Sequence, residues 1–497
     1  MIGIQEKVLT PELASFLQQI RPAMIIFFAR NIGSLKQFRK LTRDLKDLLG
    51  EDTYFAIDHE GGLIQRFSSP EDDEIQITPF PGNMALAKTN REDWAFEQGR
   101  LMALELLSIG LDLNLAPVLD VLTPDYNPGI TIRSFGNDPG LVSKFGCAMI
   151  RGMQDYGLAA SAKHFPGKGA ATLDAHIDLP TIKLPREEMI HVHLKPFRDA
   201  VLSGVSFVMT SHVIYSGLEQ DLPATFSRKN VHELLRETLN FQNVILSDDL
   251  EMGAILKRFP FDEAVVRCVE AGHDIILVCH QSDLILKAYQ TLSKAYASGR
   301  LKEENLAGSV NRMDKVFRGL KSVRKISQSR NGWELARQIS LSSVEVMHKG
   351  RFQWPEGEMA HLLLPQFLQV ASRYYFEPAL LEKKSFIESF LEKSGHRSHT
   401  HFTNIEGEPS LEWMGKIPAE SPVILFVFDA HLFNAQKQAL IEAQKYFRNL
   451  AVLPVRNPFD AAYIHENTSC IQTYGFRVPQ IERALILLHD HFSVSKK

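Results

Sequence analysis

The segment 163–176, K-H-F-P-G-K-G-A-A-T-L-D-A-H, gathers ionisable side chains densely for a loop. It follows a strand-like apolar run at 158–162. It opens with two cationic donors, Lys163 and His164, turns at Pro166-Gly167, and ends with Asp174 and His176 two residues apart. Each such charge needs a partner or water, and loops that carry them on a rigid scaffold are where function tends to sit. Three further apolar runs end the same way. Residues 54–57 lead into Asp58-His59-Glu60-Gly61-Gly62, residues 207–209 into Thr210-Ser211-His212, and residues 244–246 into Ser247-Asp248-Asp249. Any one strand ends where polar residues begin. Four that deliver acids, histidines or a lysine to one rim make a candidate site.

Two chemistries compete for these residues. In metal-assisted hydrolysis Asp58, His59, His164, His212 and Asp248 would be ligands. No His-x-His pair closes the first strand, however, and Lys163 and Arg66 would crowd a cation. No metal and no cofactor is therefore expected. Glycoside hydrolysis instead needs a carboxylate nucleophile and a separate acid/base. Asp248 or Asp249 is placed to attack an anomeric carbon, and because successive strand residues diverge, only one of them faces the centre. His176 would protonate the leaving oxygen and later activate water, with Asp174 orienting the imidazole and favouring its charged form. A histidine is unusual in this role, which two carboxylates commonly share.

Such residues need strand ends brought to one rim. Short apolar runs at 23–28, 54–57, 111–115, 158–162, 206–209, 243–246 and 274–278 alternate with amphipathic stretches at 35–49, 92–109, 141–154, 186–202 and 261–270. Runs buried on both faces, separated by helices, indicate parallel βα units. Over roughly 300 residues they indicate an α/β fold, a (β/α)8 TIM-type barrel, whose chemistry lies at the C-terminal strand ends. The eighth strand is not evident. A doubly wound sheet fits less well, because the Gly-rich phosphate fingerprint is absent. The barrel is expected to occupy 1–345. A smaller C-terminal α/β domain is expected at 346–497, with strand-like runs at 422–428 and 450–454 around a helical stretch at 432–447.

Composition narrows the remaining classes. The 497 residues are 44% hydrophobic and 23% charged, with a formal net charge of -4, which offers no basic field for nucleic acid or an anionic membrane. No apolar stretch approaches the ~20 residues of a bilayer span, and no signal peptide is evident. Cys147, Cys268, Cys279 and Cys470 lack ligand spacing and suit a reducing compartment, so the cytoplasm is the expected location.

The residues also resemble a known family. D-H-E-G-G-L-I-Q-R-F (58–67), R-S-F-G-N-D-P (133–139), the 163–176 segment and L-S-D-D-L-E-M (246–252) resemble glycoside hydrolase family 3. Within it they are similar to the β-N-acetylglucosaminidases of bacterial cell-wall recycling, the NagZ type. D-L-N-L-A-P-V-L-D-V (112–121), M-T-S-H-V-I-Y (209–215) and A-G-H-D-I-I-L-V-C (271–279) extend the likeness in order over about 3–340. The resemblance implies a retaining exo-β-N-acetylhexosaminidase that releases N-acetylglucosamine from peptidoglycan turnover fragments. Asp248 is then the nucleophile and His176 the acid/base, partnered by Asp174. Asp58, Arg66, Arg133, Lys163 and His164 bind the sugar, and Asp249 is a structural neighbour. The partner is a small saccharide or muropeptide. Three positions depart from the family: Lys168 where histidine is frequent, Ala175 where serine is common, and Ile132 where aspartate often precedes the arginine. V-R-N-P-F-D (455–460) resembles a motif of the family's α/β sandwich domain, for which a structural or oligomerisation role is expected. Phosphorolysis, β-glucosidase activity and a non-catalytic muropeptide-binding role are the alternatives. Gly167 and Gly169 are expected to form a flexible joint between the sugar-holding and proton-transferring halves of the loop.

Overall fold

The computed structural model describes residues 1–67, 77–123, 127, 129–175, 177–325, 332–355, 357–371, 378–381 and 386–494. The chain forms two compact units. The first comprises Met1–Glu60, Gln65–Phe80 and Arg91–Trp333; the second comprises Gly61–Ile64, Pro81–Asn90 and Glu334–Lys497.

In the first unit eight strands follow one another in a parallel sheet. They are β1 (Ile2–Gly3), β2 (Met24–Phe27), β3 (Tyr54–Ile57), β4 (Leu113–Asn114), β5 (Ala159–Phe165), β6 (Phe207–Thr210), β7 (Val244–Asp249) and β8 (Ile275–Leu277). A parallel bridge between Ile2 and Val278 joins the last strand to the first, which gives the barrel. The seven apolar runs became β2 to β8. The strand that sequence reasoning missed is β1, whose two residues are too few for any periodicity to register. Alternate residues of each strand point inward. Met24, Tyr54, Leu113, Phe207, Val244 and Leu246 meet in a buried cluster inside the sheet. Helix Glu303–Val323 adds Phe317, whose ring stacks on Tyr54 with centroids 3.6 Å apart. Burial of each large side chain in this cluster stabilises by roughly 1.5–3 kcal/mol.

Local signals set the flanking helices. Asp138 accepts the Leu141 N–H at 2.6 Å and Pro139 begins helix Pro139–Gln154. The last two residues of R-S-F-G-N-D-P thus start a helix. The stretch 186–202, expected as one helix, is broken. Arg186–Glu188 passes into a wider turn, Met189–His193, before Lys195–Leu202. Pro196, without an N–H, cannot continue the ladder across this junction.

Glu105, on helix Glu92–Ser108, is buried and accepts the Thr78 N–H at 2.8 Å. Burial pushes its carboxyl up to about 7, against the pull of the Thr78 hydrogen bonds. An unfolded glutamate titrates near 4.5. Its contribution to stability is therefore full below pH 4.5 and falls as pH rises to about 7. Glu105→Gln is expected to remove this slope. The check is the urea midpoint, which should fall from pH 4.5 to 7 more steeply in the wild type than in the variant.

The second unit holds a six-stranded sheet of β9 (Glu345–His348), β10 (Met359–Pro365), β11 (Arg397–Thr403), β12 (Val423–Val427), β13 (Leu450–Pro454) and β14 (Ser469–Gln472). Its spatial order is β9-β14-β13-β12-β10-β11, with only the β9–β14 pair antiparallel. The two runs expected at 422–428 and 450–454 are β12 and β13, and the helical stretch between them is Asn434–Tyr446. Leu363, Trp413, Leu425, Leu440 and Val452 anchor its core.

Candidate active site

Asn114 of β4 grips the backbone of His59, accepting its N–H at 3.0 Å and donating to its carbonyl at 2.9 Å. This fixes the path of the chain as it leaves β3. Asp58 and Glu60, two residues apart, both meet the Lys163 ammonium, Nζ lying 2.7 Å from Asp58 Oδ1 and 2.7 Å from Glu60 Oε1. Glu60 also takes the Arg133 guanidinium side-on, with Nε and Nη2 each donating at 2.8 Å. Arg133 Nη1 donates to the Gly129 carbonyl at 2.7 Å, and Arg66 Nη2 stands 3.7 Å from Asp58 Oδ2. Four of the five residues expected to hold the sugar thus form one ionic network.

The centre of that network is Glu60, to which sequence reasoning gave no role. The available signal was its spacing, since i and i+2 of an extended segment share a side. Burial alone would raise the Glu60 carboxyl, but the charges of Arg133 and Lys163 outweigh it and hold the group at about 2. Burial likewise disfavours the Lys163 cation, and Asp58 and Glu60 overcome it, so its pKa is raised.

His164 turns to a different partner. Its Nδ1 lies 2.8 Å from Asp120 Oδ2, while Asp120 Oδ1 accepts the Lys168 N–H at 2.6 Å. Burial pushes the Asp120 carboxyl up to about 6, against the pull of Lys168 and the backbone donors. Asp120, within 112–121, was also left without a role. The ladder explains the divergence of Lys163 and His164. Lys163 pairs with Met209 and Phe165 with Thr210, so His164 is an extra residue in β5. Such a bulge bends the strand and re-aims its side chains.

A second bulge lies in β7. Leu246 pairs with Ile275 and Asp249 with Leu277, which leaves Ser247 and Asp248 opposite a single residue. Ser247 Oγ accepts the Leu277 N–H at 3.0 Å and ties the bulge to β8. Asp248 is half-buried, and its Oδ1 accepts the Asp249 N–H at 2.9 Å. The Asp249 carboxylate turns elsewhere. Its Oδ2 lies 3.1 Å from His280 Nε2, and its Oδ1 accepts the Glu251 N–H at 3.1 Å. His212 Nε2 donates to the Asp249 carbonyl at 2.9 Å, and Nδ1 faces Thr225 Oγ1 at 2.6 Å. Burial lowers the His212 pKa, opposed by the charge of Asp248.

The loop beyond β5 reaches the same place. Lys168 is buried, and burial lowers its pKa while Asp248 raises it, Arg133 lowers it, and Asp120 and Asp174 raise it. One ammonium therefore stands within the fields of residues from four separate segments. Asp174 lies against Gly129, where an added Cβ would sit 3.5 Å from the Asp174 Cγ. Ala175 packs on Met252 and Ala254 after β7, and its carbonyl accepts the Ala254 N–H at 3.0 Å. Lys257 Nζ donates to the Ile177 carbonyl at 2.8 Å, and Arg258 pairs with Asp178 at 2.8 Å. Asp174 is thereby docked beside the network. His176 lies outside the described residues.

Gly169 needs a correction. A Cβ there would lie 1.8 Å from the Val121 carbonyl oxygen. Close backbone packing accounts for this glycine, and any substitution displaces both halves of the loop. It is not a clean joint to stiffen. Gly167, with φ of +115°, does hold a conformation that side chains disfavour.

Comparison with known proteins identifies the family. Residues 5–316 match the glycosyl hydrolase family 3 N terminal domain. A Beta-hexosaminidase of Hydrogenovibrio crunogenus is 34% identical over 286 residues, covering 56% of this chain and 78% of its own. The structure of a glycoside hydrolase family 3 beta-N-acetylglucosaminidase from Paenibacillus sp. superposes with a TM-score of 0.86 at 30% identity, over 98% of this chain and 94% of that one. NagZ from Neisseria gonorrhoeae, solved in complex with N-trifluoroacetyl-D-glucosamine, gives a TM-score of 0.57 at 30% identity, over 69% of this chain and 97% of its own. The matched segment runs through every strand of the barrel from β2 to β8 and contains each residue of the network, and on that ground the chain belongs to glycoside hydrolase family 3.

Proposed function

We propose that this protein is a retaining exo-β-N-acetylglucosaminidase. The observation that carries the reading is the half-buried Asp248 carboxylate, set on a bulge at the C-terminal end of β7 and coupled electrostatically to Lys168. Asp248 attacks C1 of the sugar as the bond from C1 to the leaving oxygen breaks, and a glycosyl–aspartate ester forms. His176 supplies the proton that the leaving oxygen takes, with Asp174 orienting the ring. Water then attacks C1, His176 takes its proton, and Asp248 departs as a carboxylate. Asp58, Arg66, Arg133, Lys163 and His164 supply the charged donors and acceptors for the sugar hydroxyls, a design that rejects analogues lacking those groups.

The substrates we propose are N-acetylglucosaminyl-1,6-anhydro-N-acetylmuramyl peptides from wall turnover, processed in the cytoplasm. A chromogenic β-N-acetylglucosaminide should be cleaved without added metal, in preference to the β-glucoside. Proton NMR should show the β-anomer of free N-acetylglucosamine first. Initial release of the α-anomer would eliminate the covalent intermediate. N-acetylglucosamine 1-phosphate as the main product in phosphate buffer would make the enzyme a phosphorylase.

A further inference from the structure

The second unit carries a histidine group that the glycosidase reading does not use. β10 and β11 pair in parallel, with His361 opposite His399 and Leu363 opposite His401. Directly paired residues share a face, and so do residues i and i+2, which puts all three imidazoles on one side of the sheet. Their ring centroids lie 5.5 Å apart for His361–His401, 4.7 Å for His399–His401 and 6.3 Å for His361–His399. His361 Nδ1 and His401 Nε2 are 3.3 Å apart.

The distance between the His361 and His401 nitrogens matches a metal-binding geometry. A tetrahedral zinc ion with bonds of about 2.0–2.1 Å holds its ligand nitrogens about 3.3–3.4 Å from one another. The His361–His401 pair already has that edge. His399 is exposed and on the edge strand, so its side chain has room to rotate toward that pair. Burial and the His399 ring lower the pKa of His361, and burial with His399, His361 and Lys416 takes that of His401 to about 4. Lys416, the nearby cation, lies 3.4 Å from Glu412, which offsets its charge.

Asp429, His431 and Asp460 also come together, but there Asn457 and Arg456 occupy Asp429, and Asp460 takes the His431 ring at 2.7 Å. Protein partners thus take Asp429 and the Nδ1 of His431, while His431 Nε2 and Asp460 Oδ2 are buried with no hydrogen-bond partner among the described residues.

We propose that His361, His399 and His401 bind a zinc-class divalent cation, with water as the fourth ligand, and so pin the edge strand β11 to β10. The alternative is a neutral N–H···N bond between His361 and His401 with no metal affinity. Titration calorimetry of the full chain with zinc chloride decides between them. Wild type should take up one more equivalent of zinc than His399→Ala/His401→Ala, a difference that cancels any zinc bound elsewhere. Zinc should raise the thermal midpoint of the wild type more than that of the double variant, and magnesium should do neither. His399→Ala alone should weaken this binding about tenfold or more. Equal uptake by wild type and double variant would overturn the proposal. If the double variant does not fold, unchanged affinity in His399→Ala overturns it, because that side chain is exposed and its removal leaves the sheet intact.

Discussion

Asp248→Asn is expected to lower kcat by on the order of 10⁴-fold or more, with folding and N-acetylglucosamine binding retained. The amide has the shape of the carboxylate and can still accept the Asp249 N–H, so the bulge that carries it should persist. What it lacks is the negative charge that makes the oxygen a nucleophile. Kinetics on a chromogenic substrate, alongside calorimetry with N-acetylglucosamine, separate the two effects. Asp249→Asn serves as the comparison. It should act mainly through stability, because Asp249 is held by His280 and the Glu251 N–H. A rate lost in the Asp249 variant and kept in the Asp248 variant would exchange their roles.

Glu60→Gln is expected to cost about 3–5 kcal/mol of stability, because removing one member of a buried charge group leaves the others uncompensated. Here Arg133 loses its carboxylate partner and Lys163 is left with Asp58 alone, and the side chains of these two cations are only 13% and 3% exposed. The amide cannot return the side-on pair of bonds to Arg133, so sugar affinity should fall with stability. The pH dependence gives an independent readout. The carboxyl is held at about 2 in the fold against an ordinary value of 4.5. Its stabilisation is therefore full above pH 4.5 and is lost as pH falls toward 2. Thermal unfolding between pH 6 and 3 should show a wild-type advantage that narrows on acidification. A constant gap across that range would mean that Glu60 acts through packing and not through charge.

Seven barrel strands were legible because each is buried on both faces and so appears as an unbroken apolar run. β1 was not, since two residues carry no pattern, and its place in the sheet comes from pairing with β2 and the bridge to Val278. At the site, Asp58, Lys163 and His164 were legible as polar groups at strand ends, whereas the expected roles of Arg66 and Arg133 came from the family resemblance. The residues that hold them were less so. Glu60 and Asp120 stood in plain view, but a counter-ion is defined by what lies opposite it in space. The same holds for Gly169, whose contact is the Val121 carbonyl some fifty positions away in sequence. The bulges at His164 and at Ser247-Asp248 were hidden for a related reason: register belongs to two strands jointly, and neither sequence alone contains it.

Those two bulges bear on how the barrel tolerates changes in length. In a regular ladder, adding or removing one residue at a strand end is absorbed by the following loop. Here the ladder of β7 resumes at Asp249 with Leu277, and that of β5 at Phe165 with Thr210, so each irregularity is enclosed by pairing on both sides. Losing one residue inside either stretch would restore the regular ladder and turn the reactive side chain to the opposite face of the sheet. Residue number, as well as residue identity, is thus under constraint between Lys163 and Phe165 and between Leu246 and Asp249.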